Sequence, residues 1–190
     1  MFNLEEAMTD TPNYSVIRKD GDIELRQYPP YIKAEVEIKD SSYREAIYKG
    51  FRILADYIYG NNLGNKNIQM TSPVQVSEGE KIAMTKPVTI SGDGTYSVAF
   101  IMPSEYTLAT LPQPKHPAIS LSKVEPKIMA SISFSGFYRA GQVELAKERL
   151  KEWLDKSKIE SEGAFIAAGY NPPWVPWFLT RNEVMIPVKM

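Results

Sequence analysis

Histidine is the side chain most often used as a general base near neutral pH. This sequence holds one, His116, within Pro114-Lys115-His116-Pro117. The neighbouring prolines stiffen that segment but bring no orienting carboxylate beside it, so His116 is expected as an exposed loop residue. Cysteine is absent, which excludes disulfides, thiolate metal sites and a cysteine nucleophile. There is no H-x-x-x-H pair and no EF-hand spacing. Gly92-Asp93-Gly94 reads as a hairpin turn, because no helix follows it to hold a phosphate. The 23 acidic residues include paired carboxylates, but none lies in an apolar setting that suggests a raised pKa. No catalytic constellation emerges, and the residues that remain suit binding.

Two groups of side chains stand out. At about 100° per residue, Tyr48, Arg52, Ala55 and Tyr59 form a stripe along one face of a helix. Two rings, one guanidinium and one small residue would suit a flat, partly anionic ligand: the rings stack on its plane, Arg52 meets a carboxylate, and Ala55 permits close approach. The same stripe also fits an ordinary boundary face with half-buried tyrosines and a solvated arginine. The second group is Asn171-Pro172-Pro173-Trp174-Val175-Pro176-Trp177-Phe178. Prolines hold Trp174, Trp177 and Phe178 as a preorganised apolar wall, which would cost little entropy to present to a ligand. These rings would equally serve to cap the end of a barrel.

The elements that must position these groups follow from periodicity and turn chemistry. Tyr14–Lys19 and Ile23–Tyr28 flank Asp20-Gly21-Asp22, a hairpin signal. Ile32, Ala34, Val36 and Ile38 alternate with charged residues, the mark of a half-buried strand. Ser42-Tyr43-Arg44-Glu45 reads as a capping box that opens a helix. Tyr43, Ile47, Phe51, Leu54 and Ile58 supply its core stripe, and Gly60-Asn61-Asn62 end it. Ile68–Val74 and Ile82–Val88 are near-copies, expected as two hairpin strands around a turn at Ser77–Glu80. Each carries a proline that must sit at an edge or bulge, and their Met70 and Met84 read as core filler. Further strands are expected at Tyr96–Met102, Ile119–Val124, Ile128–Phe134, Gly163–Tyr170 and Glu183–Val188. A proline-rich loop spans 103–117, and a second helix runs from Gln142 to Lys156 with Val143, Ala146, Leu150, Trp153 and Leu154 inward. Strand, helix and strands recur in that order around 31–90 and 128–188. The reading is an α+β domain, a distorted barrel of mostly antiparallel strands with two long helices and a pseudo-twofold repeat.

The totals narrow the setting. Lys and Arg number 22 against 23 Asp and Glu, a formal net charge of −1, so the basic excess of nucleic-acid modules is missing. No run approaches the roughly 20 apolar residues of a membrane span. Met1–Glu6 lacks the basic and apolar regions of a secretory signal, so a cytoplasmic protein is expected. Residues 1–13 read as a lead-in and 14–190 as one domain.

Several segments, in order, resemble the SOUL haem-binding protein family. They are Tyr14–Tyr28 (YSVIRKDGDIELRQY), Gly50–Asn62 (GFRILADYIYGNN), the doubled Met-Thr-x-Pro-Val at 70–74 and 84–88, Phe100-Ile-Met-Pro-Ser104, Tyr170-Asn-Pro-Pro173 and Arg181-Asn-Glu-Val184. The resemblance implies a distorted α/β barrel and a shallow apolar site for non-covalent haem. In animal members that site lies between the first helix and the loop after the Asn/Asp-Pro-Pro motif. Carried over, it implies contacts from Tyr48, Phe51, Arg52, Ala55, Tyr59, Trp174, Trp177 and Phe178. The sequence departs from the pattern where Tyr48, Asp56 and Val175 stand roughly at the places of basic residues near the propionates, which leaves Arg52 and Lys49 as local cations. His116 does not fall on the helix. If iron is ligated at all, a tyrosine such as Tyr48 or Tyr59 is the candidate. SOUL domains also resemble GyrI-like effector-binding domains, some of whose relatives are hydrolases working with acidic and aromatic residues. That alternative requires a buried carboxylate facing the pocket.

Overall fold

A computed structural model describes residues 13–40, 42–71, 73–78, 94–136, 140–170 and 180–189. The elements run β1 (Ser15–Asp20), β2 (Ile23–Tyr28), β3 (Tyr31–Lys39), α1 (Tyr43–Ile58), β4 (Val74–Glu78), β5 (Thr95–Ile101), β6 (Ile119–Val124), β7 (Lys127–Phe134), α2 (Ala140–Ser157), β8 (Ile166–Gly169) and β9 (Asn182–Pro187). All nine strands join one antiparallel sheet in the order β1-β2-β7-β9-β8-β4-β5-β3-β6.

That order contains the expected pseudo-twofold repeat. The units β3-α1-β4-β5 and β7-α2-β8-β9 have matching internal pairings and meet where β4 pairs with β8. The strand before each unit joins the other one: β2 pairs with β7, and β6 pairs with β3.

Alternation along the strands sends side chains to two different faces. On one face Ile23, Leu25, Ala130, Ile132, Val184 and Ile186 pack against Val143, Ala146, Leu150 and Leu154 of α2. Ala34, Val36, Val98 and Phe100 likewise pack against Leu54, Tyr57 and Ile58 of α1. Val76 lies opposite both Val98 and Ala167, so the two helices share this face. The other face carries Arg26, Tyr28, Lys33, Glu35, Gln75, Met129, Glu183 and Met185. The sheet curls around it: Lys33 of β3 and Lys127 of β7 line one cavity although four strands separate theirs.

Three sequence expectations need correction. The Ser42 hydroxyl accepts from the Glu45 N–H at 3.4 Å, but the Ser42 N–H donates to the Asp40 carboxylate at 2.9 Å, so Asp40 takes the part expected of Glu45. The buried stripe of α1 is Ala46, Gly50, Leu54, Tyr57 and Ile58. Phe51 is 36% exposed, and its ring centre lies 5.3 Å from that of Phe100 in an edge-to-face pair. The cause is Gly50: a Cβ there would stand 2.6 Å from Val98 Cγ2, so the missing side chain draws this side of the helix onto β5. Third, the described residues 68–71 and 73 form no strand and no turn interrupts 77–78, because β4 spans Val74–Glu78 in the interior of the sheet. Pro73 precedes it and removes no ladder hydrogen bond. Ile82–Val88 lies outside the described residues.

Other expectations hold. Gly60 adopts φ 108° at the end of α1, a conformation that favours glycine. Buried Asn62 then donates to the carbonyls of Tyr57 and Lys66 and accepts the Lys66 N–H. The Tyr57 hydroxyl donates to the Pro112 carbonyl at 2.8 Å, fastening the proline-rich loop to α1. Met70 packs against the α1 core.

Candidate functional site

The outer face of α1 places the residues picked out by helical spacing. Tyr48 is 59% and Tyr59 68% exposed, with Phe51 between them. Arg52 is exposed, its guanidinium 5.8 Å from the centre of the Tyr48 ring, and Ala55 is half-buried. Arg52 has no ion-pair partner among the described residues. Lys49 is already engaged, its ammonium 2.6 Å from the Asp40 carboxylate. Asp56 accepts from the Asn61 side chain. The face therefore presents three aromatic rings around the Arg52 guanidinium. Trp174, Val175, Trp177 and Phe178 lie outside the described residues.

His116 is exposed, and its Nδ1 accepts the Ala118 N–H at 3.2 Å, a local turn contact. No group of three or more His, Asp or Glu that could hold a metal occurs among the described residues. Nor does any described helix have the length and apolarity to cross a membrane.

The inner face of the sheet holds a polar centre that sequence reasoning missed. Glu183 is fully buried, the only acid so placed among the described residues. Six hydrogen bonds from four side chains reach it. Arg26 Nη1 and Nη2 donate at 2.8 and 3.0 Å, Arg181 Nε and Nη2 at 3.1 and 2.8 Å, Tyr170 Oη at 2.6 Å and Ser133 Oγ at 3.0 Å. Arg26 also donates to Glu24, which receives Lys19, so charge alternates along the row. Arg26 lies 4.3 Å from the Tyr14 ring centre, and Arg181 lies 4.4 Å from that of Tyr170. Burial works to raise the Glu183 pKa, but the two arginines and Tyr170 outweigh it and hold it at about 2. Burial pushes the Tyr28 phenol up to about 12. It raises Tyr170 too, with the Glu183 charge adding to the effect.

A cavity of about 120 Å³ adjoins this centre, reached by Tyr28 and Tyr170 on one side and by Tyr31, Lys33 and Gln75 on the other. A second, wider basin of about 590 Å³ opens at the end of the sheet beside Pro29, Pro30, Met102, Pro103, Tyr106 and Leu108. Tyr31 and Ile101 border both.

The network gathers three segments of the family resemblance: Tyr14, Arg26 and Tyr28 from the first, Tyr170 from another, Arg181 and Glu183 from the last. The signal in the sequence was the charged inner row Glu24, Arg26 and Tyr28 alternating with apolar Ile23 and Leu25. Only the strand order reveals that β9 stands near the centre of the sheet, where Glu183 is sealed from water.

Comparisons with known proteins agree with this architecture. Heme-binding protein 1 of Xenopus laevis is 26% identical over 167 residues, covering 87% of this chain and 84% of that protein. The EcmrR C-terminal domain superposes with a TM-score of 0.62 at 13% identity, over 93% of this chain and 98% of the other. A hydrolase from Listeria innocua gives 0.58 at 11% identity, over 88% and 92%. At such low identity the two structures speak to the fold alone, a GyrI-like one. The family model described as SOUL heme-binding protein matches residues 9–187, and the chain belongs to that family.

Proposed function

We propose that this chain binds haem or a related tetrapyrrole without covalent attachment, and without catalysis, on the outer face of α1. The observation that carries the reading is the exposed array of Tyr48, Phe51 and Tyr59 around an arginine with no ion-pair partner among the described residues. Exposed aromatic patches of this kind mark interaction surfaces. The rings suit the macrocycle plane, Arg52 suits a propionate, and half-buried Ala55 leaves room for close approach. Trp174, Trp177 and Phe178 are assigned to the opposing wall. Bound haem would supply the iron chemistry, and tyrosine ligation is available from Tyr48 or Tyr59; the role of the chain's own residues is to bind and orient the plane.

Hydrolysis is the second reading, and buried Glu183 beside a cavity is the feature in its favour. Against it, a carboxyl held near 2 is too weak a base, and too rarely protonated at neutral pH, for general acid–base work. Chromogenic esters such as p-nitrophenyl acetate should therefore not be turned over above the buffer rate.

The test of the binding face compares two porphyrins. Arg52→Glu should weaken protoporphyrin IX binding at least tenfold, on the order of 1.4 kcal/mol, and leave octaethylporphyrin, which lacks carboxylates, unchanged. Equal effects on both would remove Arg52 from the propionate role.

A further inference from the structure

The cavity inside the curl of the sheet is remote in chemistry from the face of α1. Its size, about 120 Å³, is close to the roughly 150 Å³ of an engineered protein cavity that admits one benzene ring. A tetrapyrrole is far too large for it. Met129, Ile166 and Met185 give it apolar walls, and Tyr31 and Gln75 give it polar edges. Two lysines, Lys33 and Lys127, reach it from opposite repeat units, and no carboxylate lines it among the described residues.

The nearby acids are already committed. Glu35 receives the Lys33 ammonium at 2.7 Å and the Ser97 hydroxyl. Glu183 is saturated by two arginines, a tyrosine and a serine. An entering cation would meet no available negative charge among the described residues. Lys127, which stands opposite Tyr28 in the β2–β7 ladder, has no ion-pair partner among the described residues. Its charge is therefore the one uncompensated charge at the cavity among the described residues.

From this geometry we propose that the cavity is a binding site for a small single-ring aromatic carboxylate. The ring lies between the methionine and isoleucine walls, and the carboxylate is held by Lys127 with Lys33 assisting. This site is independent of the tetrapyrrole reading and would survive its failure.

Salicylate is a suitable fluorescent probe, and benzamidine is a cation of similar size and shape. The wild-type chain should bind salicylate saturably at one site and show no saturable binding of benzamidine over the same range. Lys127→Met, at an exposed position, should weaken salicylate at least tenfold, while Arg52→Glu should leave it unchanged. Lys127→Glu should reverse the preference toward benzamidine. Absence of saturable salicylate binding, equal binding of both probes, or an unchanged affinity in Lys127→Met would each overturn the proposal.

Discussion

Glu183 keeps a full negative charge inside the sheet because two guanidiniums, a phenol and a hydroxyl replace the water it has lost. Its pKa falls from an ordinary 4.5 to about 2 on folding. A depressed carboxyl contributes stability above its unfolded pKa, and that contribution disappears as the pH falls through the folded value. The wild-type chain should therefore lose on the order of 3 kcal/mol between about pH 4.5 and pH 2 from this group. Urea unfolding at stepped pH measures the loss. Glu183→Gln would leave Arg26 and Arg181 without their shared anion, an expected cost of about 3–5 kcal/mol at pH 7. It should also flatten the acid limb, and an unchanged acid limb would contradict this account. Little of the centre was legible beforehand, because a buried acid three residues from Thr180 and beside Val184 looks like any strand residue until its neighbours in the sheet are known. The aromatic face was easier: Tyr48, Arg52 and Tyr59 are exposed where helical spacing placed them, on the side of α1 opposite its buried stripe.

Among the elements, α1 shows how one small residue sets the orientation of a helix. Leu54 and Ile58 are inward as the apolar pattern implies, but Tyr57 replaces Phe51 in the core because Gly50 lets β5 approach. A rule that counts only large apolar residues passes over a glycine whose contribution is the space it leaves. Gly50→Ala would force a methyl against Val98 and should cost about 1–3 kcal/mol by overpacking, read as a lower urea midpoint with unchanged slope. A neutral result would mean that the contact with Val98 relaxes freely. The same element separates cap from pattern: Ser42 was legible as the N-cap, whereas Asp40 was not, since its carboxylate reaches Ser42 from outside the helix. α2 follows its sequence closely, with Val143, Ala146, Leu150 and Leu154 buried, because its apolar stripe meets the apolar face of the sheet.

At the scale of the whole molecule, exchanged strands bind the two repeat units together. With β2 on the second unit and β6 on the first, and β4 against β8 between them, neither unit retains its full set of strands when the other unfolds. The backbone amides of β5 and β9 should therefore open together, within about 1 kcal/mol in native-state hydrogen exchange. A gap of several kcal/mol would show two separable units. The repeat itself was legible as a recurring order of elements, but the exchange was not, since chain order is silent about which sheet neighbours a strand will find. The curl that follows from these pairings separates an outer aromatic face on α1 from an inner charged one, and the tetrapyrrole is assigned to the outer. Titration of the wild-type chain with haemin and with protoporphyrin IX, followed through the Soret band, tests that assignment most directly. The account predicts saturable one-to-one binding of both, since plane and propionates are read without the iron; failure of both to saturate would contradict it.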